Sequence, residues 1–151
     1  MLEPDAAAGR NVLRIPARVD ELANVRRFIR QESLRAGADP HAVSDVVQAV
    51  DESVANAILH GYRGDEGTVE IEIDRSGPSL IVRLRDQASP FDPTKLPAPD
   101  TTLSLDERPL GGMGVFLARE LMDAVRYRQT NDGNELTLVK ECIKPQEGTR
   151  R

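Results

Sequence analysis

A chain of 151 residues has room for one domain with a real core and is too short for two full ones. A formal charge of −5, 3% aromatics and no tryptophan exclude a protein that coats nucleic acid, and leave the core to Val, Ile, Leu and Ala. The single cysteine, Cys142, excludes an internal disulfide, and no apolar run approaches the ~20 residues of a membrane span.

The opening MLEPDAAAGR is acidic and is followed by no apolar signal core, so residues 1–10 read as a flexible leader on a cytoplasmic protein. Asn11 to Ala17 alternates Leu13 and Ile15 against Val12 and Arg14, an edge strand ended at Pro16. Asp20 is placed to cap a helix bearing Leu22, Val25, Phe28 and Ile29, with Gly37 as its stop. A second helix opens with Asp39 as N-cap and Pro40 in the first turn. It carries Val43, Val47, Val50, Val54 and Ile58 on one stripe, and Gly61 is its expected C′ residue.

Val69, Ile71 and Ile73, then Leu80, Val82 and Leu84, alternate with polar or outward residues as two strands joined at Ser76-Gly77-Pro78. From Ala88 to Pro109 five prolines and no sustained period mark a long connection, of a kind usually functional or disordered. A third helix is expected from about Met113 to Met122. A hairpin of Ala124–Thr130 and Glu135–Cys142, turning through Asn131-Asp132-Gly133-Asn134, closes the domain. Cys142 falls in a strand-like segment and reads as structural. Residues 144–151 read as a flexible tail. The sum is an α/β (α+β) two-layer sandwich: a mixed, mainly antiparallel sheet of about five strands, with three helices on one face.

Three places carry chemistry. On the second helix Glu52, Asn56 and His60 recur every fourth residue, on one line. Spacing alone allows a solvated polar face, but Ala49, Ser53, Ala55 and Ala57 around them are small and leave room for a ligand. A carboxylate and an amide oxygen one turn apart suit Mg²⁺ and its water. Second, Gly111-Gly112-Met113-Gly114 precedes a helix, where bare backbone N–H groups and the helix dipole favour phosphate; a simple tight entry is the other reading. Third, Asp86 ends a strand, where it can accept from an amino group such as that of adenine or merely start a turn. Neither a Walker pattern nor a strand followed by G-x-G-x-x-G is present.

Taken in order, these segments resemble a known family. The run from Ala49 to Tyr62 (AVDESVANAILHGY) resembles the N-box of the GHKL (Bergerat-fold) ATPases, and more narrowly their anti-sigma factor serine/threonine protein kinase branch. Arg85 to Pro93 is similar to that branch's first glycine box, and Arg108 to Val115, followed by Leu121-Met122-Asp123, to its second. The similarity runs from about residue 11 to 142.

The resemblance implies an ATP-binding kinase domain over 11–143 with a lid at about 88–110. It implies Glu52 as general base toward a substrate serine, Asn56 as ligand of Mg²⁺, and Asp86 as the reader of the adenine amino group. Gly112 and Gly114 would cradle phosphate, with Ala88, Phe91, Gly111, Met113 and Val115 as further nucleotide contacts and Arg108 as the lid arginine. The implied partners are a sigma factor and an anti-anti-sigma (STAS-type) protein, with a homodimer as the implied assembly and Arg26 or Arg27 as the partner-contacting arginine. The pattern is not perfect: the first box usually has glycine where Ala88 stands, and the distance from Arg108 to Gly112 is unusual. An ATP-dependent switch without phosphotransfer therefore stands as the alternative. A histidine-kinase catalytic domain is the third reading, opposed by the presence of only His41 and His60 and the lack of room for a helical hairpin.

Overall fold

The computed structural model describes residues 11–95 and 112–144, with backbone alone for 112–116. Five strands form one sheet: β1 (Asn11–Pro16), β2 (Thr68–Ser76), β3 (Ser79–Asp86), β4 (Ala124–Gln129) and β5 (Asn134–Glu141). Their spatial order is β1-β2-β3-β5-β4. Every pairing among them is antiparallel, so the expected mixed sheet is in fact antiparallel throughout. Hairpins β2–β3 and β4–β5 require it of two of the four pairings, since neighbours joined by tight turns must run in opposite directions. Three helices, α1 (Leu22–Arg35), α2 (Pro40–Asn56) and α3 (Gly112–Leu121), complete the second layer.

Period-two alternation decides which face the helices cover. Ile15, Val69, Ile71, Ile73, Leu80, Val82, Leu84, Leu136 and Leu138 point to one side and join Val25, Ile29, Val43, Val47, Val50 and Val54 in a single core. α2 lies between α1 and α3, in contact with both.

The helix ends show where local signals won and where they lost. α1 stops at Arg35, with Gly37 at φ 96°; Ala38 N–H reaches Ser33 O and Gly37 N–H reaches Leu34 O, both at 3.0 Å. That pair of bonds is a Schellman closure, which glycine permits at positive φ. Asp20 does not cap α1. It lies in a short 3₁₀ turn, Val19–Glu21, and Arg18 holds its carboxylate through Nε at 3.1 Å and Nη2 at 2.8 Å.

Asp39 does cap α2, accepting from His41 N–H at 3.4 Å, with Pro40 at the first position. Gly61 is not the C′ residue. The helix continues past Asn56 as a π-helical turn, Ala57–Tyr62, and closes on Arg63 at φ 55° and Gly64 at φ 90°. Wider i→i+5 turns of this kind cluster at functional sites. Tyr62 ends the turn with its hydroxyl donating to Thr68 O at 2.6 Å and accepting from Gln87 N–H at 2.8 Å, so the end of α2 is tied to β2 and to the exit of β3.

The uncovered face of the sheet is ordered by charge. Register places Arg14, Glu70, Arg85, Glu135 and Arg128 side by side, one residue from each strand. Arg14 meets Glu70 at 2.6 Å, Arg85 meets Glu70 at 3.0 Å and Glu135 at 2.8 Å, and Arg128 meets Glu135 at 2.9 Å. Arg85 also reaches Glu72 at 2.7 Å, whose side chain is only 2% exposed. Sequence alternation predicts an outward Glu72; register buries it under its arginine neighbours.

Candidate functional site

α2, the exit of β3 and the start of β5 converge at one end of the sandwich. They surround a small cavity lined in part by Ser53, Asn56, Asp86, Phe91, Tyr127 and Asn134. Three of the expected residues, Asn56, Asp86 and Phe91, therefore share one site. The free interior is about 30 Å³, room for roughly one water.

Asn56 is 1% exposed, and among the described residues neither its Oδ1 nor its Nδ2 has a hydrogen-bond partner. Burying an amide unpaired costs roughly 1–3 kcal/mol, so a group of this kind calls for a ligand. The observation fits a hard cation or phosphate-bound water. Among the described residues no cluster of three or more His, Cys, Asp or Glu could hold a metal ion. The polar stripe of α2 is thus not a solvated face. α3 packs beside α2, and Ala49, Ser53 and Asn56 are all buried.

Glu52, one turn before Asn56, is half-buried and does not line the cavity. Burial, and then the neighbouring charge of Asp51, push its carboxyl above the usual range. Both effects favour the protonated form, which strengthens the group as a proton acceptor once ionised. Asp51 is itself held by Arg26 of α1 at 2.8 Å, while Arg27 turns toward Asn24 at 2.8 Å. Of the two candidate arginines, Arg26 is the one bound beside Glu52.

Asp86 sits where β3 leaves the sheet. Its Oδ1 accepts from Ala88 N–H at 3.0 Å and from Asn134 Nδ2 at 2.8 Å. Ala88 is buried, and a Cβ on Gly61 would stand 3.4 Å from the Ala88 Cβ. The Ala88 methyl therefore packs over Gly61. His60 lies against Phe91, ring centroids 6.2 Å apart and planes 23° from parallel, and so takes a packing place at the rim.

Gly112, Met113, Gly114 and Val115 form the first turn of α3, which contacts α2. The expected boundary at Met113 moves one residue earlier. Gly111 and Arg108, with most of the 88–110 segment, lie outside the described residues. Among the described residues no helix is long and apolar enough to cross a membrane.

Asn134 and Tyr127 were not legible as site residues. Asn131-Asp132-Gly133-Asn134 reads locally as a turn, but Asn134 is the first residue of β5, paired in register with Asp86. The signal that could have found it is the glycine before it, which permits close approach to another backbone.

The chain matches a family model described as a histidine kinase-like ATPase domain over residues 15–140. It is similar to the serine-protein kinase RsbW of Listeria monocytogenes, 29% identical over 119 residues and 76% of each chain. The serine-protein kinase RsbW of Staphylococcus aureus is 28% identical over 141 residues, 89% of this chain and 87% of that one. An anti-sigma F factor of Clostridium kluyveri is 31% identical over 99 residues, 65% of this chain and 70% of that one. In fold the chain resembles a solved structure of the RsbU and RsbW domains of a Mycobacterium tuberculosis protein, with a TM-score of 0.62 at 22% identity. That match covers 89% of this chain and a third of that one (33%).

Proposed function

The chain belongs to the histidine kinase-like ATPase domain family, and on that premise we propose that it is an Mg-ATP-dependent serine/threonine protein kinase of the anti-sigma type. It phosphorylates a serine of a small anti-anti-sigma (STAS-type) protein and sequesters a sigma factor, acting in the cytoplasm as a homodimer. The ATP-binding kinase domain is 11–143, with 88–110 as its lid. The names of its relatives, a serine-protein kinase and an anti-sigma F factor, support this reading. The single observation that carries the nucleotide site is the buried amide of Asn56, which has no hydrogen-bond partner among the described residues and lines the same cavity as Asp86.

Each residue has a task in that reading. Asp86 accepts from the exocyclic amino group of adenine. Asn56 holds Mg²⁺ through its amide oxygen, and bound Mg²⁺ supplies charge neutralisation for the triphosphate. Backbone N–H groups of Gly112, Met113 and Gly114 in the first turn of α3, with that of Gly111, receive phosphate oxygens, and Val115, Ala88 and Phe91 are further nucleotide contacts. Arg108 balances charge on the terminal phosphate. Glu52 takes the proton of the incoming serine hydroxyl, and its raised carboxyl suits a base. Phosphoryl transfer is mainly positioning and charge neutralisation, so this set is sufficient. We assign the partner-contacting role to Arg26, which is bound to Asp51 beside Glu52, rather than to Arg27.

The test is a calorimetric titration with ATP, with and without Mg²⁺, on wild type and Asn56→Ala. Mg²⁺-dependent binding that Asn56→Ala weakens about tenfold or more is expected, the loss of one charge-assisted contact. Equal binding in all four conditions removes the metal role. Label transferred from ATP to a serine of a STAS-type partner separates the kinase from a switch that only binds.

A further inference from the structure

We propose that Asn134 is a positioning residue: its amide fixes Asp86 so that one carboxylate oxygen faces the nucleobase, and thereby sets preference for a 6-amino over a 6-oxo purine. The proposal rests on the reading of Asp86 as the nucleobase contact.

Asn134 is 6% exposed, and its side chain is fully used. Nδ2 donates to Asp86 Oδ1 at 2.8 Å, to Ser89 O at 3.1 Å and to Ala88 O at 3.3 Å. Oδ1 accepts from Phe91 N–H at 3.0 Å and from the Tyr127 hydroxyl. An amide is the one side chain that offers two donors and a two-lone-pair acceptor in one plane. It binds both the carboxylate and the turn that follows it, and Tyr127 braces it from β4. With this hub in place, Ala88–Phe91 is held as a turn against β5.

The consequence for Asp86 is directional. Both donors that the described residues give its carboxylate, Asn134 Nδ2 and Ala88 N–H, fall on Oδ1. Oδ2 is left as the acceptor. A carboxylate is otherwise loosely held, because its terminal torsion is broad and two-fold. Held this way, it favours a purine that presents N–H and opposes one that presents a carbonyl lone pair at the same place. A buried polar contact of this kind discriminates through the group left unpaired in the wrong complex.

The experiment measures Kd for Mg-ATP and for Mg-ITP, which carries oxygen in place of the amino group, on the whole chain by calorimetry. Wild type is expected to prefer ATP about tenfold or more. Asn134→Ala frees Asp86 and should bring the two nucleotides to within about threefold, through loss of ATP affinity. Asn134→Asp keeps shape and the acceptor contacts to Phe91 and Tyr127 but sets a second carboxylate against Asp86, so it should lose the preference with the fold retained by circular dichroism. If both variants weaken ATP and ITP by the same factor and keep the wild-type ratio, Asn134 is only structural and the proposal is overturned. If wild type itself binds ATP and ITP equally, the reading of Asp86 falls, and the proposal with it.

Discussion

Gly133 lies so close to Asp86 that a Cβ built on it would stand 1.8 Å from the Asp86 carbonyl oxygen and 2.7 Å from Gln87 Cα. Both obstacles are backbone, so no side-chain rotation relieves them. The approach lets the β4–β5 turn, closed by Thr130 N–H on Gly133 O at 2.9 Å, deliver Asn134 to the mouth of the site.

Gly133→Ala must therefore part β3 from β5 at that end. A loss of about 1–3 kcal/mol is expected from the overlap, together with weakened ATP binding. Urea unfolding and an ATP titration on the same variant check both. Wild-type stability and affinity would show that the two backbones separate without cost.

Glu52→Gln is expected to divide activity from stability. Burial first, and Asp51 second, raise the folded-state carboxyl, whereas in the unfolded chain it titrates in the ordinary range. As pH rises from that ordinary range through the raised value, the unfolded state releases its proton first, so the group costs stability above it. Glutamine removes the cost, and the variant should melt higher than wild type at neutral pH, with the two curves converging in acid. Phosphotransfer should fall about 100-fold or more, with ATP affinity kept. A variant that transfers at the wild-type rate would remove Glu52 as the base.

Arg85→Met tests the charged face of the sheet. Burial pushes the Glu70 carboxyl up, but Arg14 and Arg85 outweigh it and the net shift is down. Glu135 behaves likewise, with Arg128 and Arg85 as its partners. Such groups contribute stability that is present above the ordinary carboxylate range and lost as pH falls through their depressed values. Removing Arg85, which also serves the buried Glu72, should cost about 2 kcal/mol at neutral pH after allowance for its partial exposure. The gap between variant and wild type should narrow toward low pH. A pH-independent gap in thermal unfolding would assign the loss to packing instead.

What could be read from the sequence was what short-range chemistry controls. The valine stripe of α2, the alternation in β2 and β3, the Asp39 cap and the Gly37 stop were all legible because each depends on neighbours within a turn or a strand. Gly61 was misread as a stop, because residue periodicity does not reveal that hydrogen bonding widens to a π turn. Asp20 was misread because Arg18 claims its carboxylate. The surroundings of Asn56 depend on the end of α2 meeting the exit of β3, and the contacts of Asn134 on a partner 48 positions away. Those contacts are made by topology. Motif order carried the site to Asp86 and Asn56 but could not show the amide that links Asp86 to β5.

The row Arg14, Glu70, Arg85, Glu135, Arg128 also constrains how this sequence can drift. Each rung meets its lateral neighbours, and Arg85 meets the buried Glu72 as well, so a reversal at one strand is opposed by one or two like charges directly across. Tolerated changes should then come in adjacent pairs, and inherited variation at these five positions should be correlated between neighbouring strands. Full inversion of the row would preserve the attractions within it but would set a carboxylate at position 85 against the buried Glu72, so Arg85 is the rung least free to change.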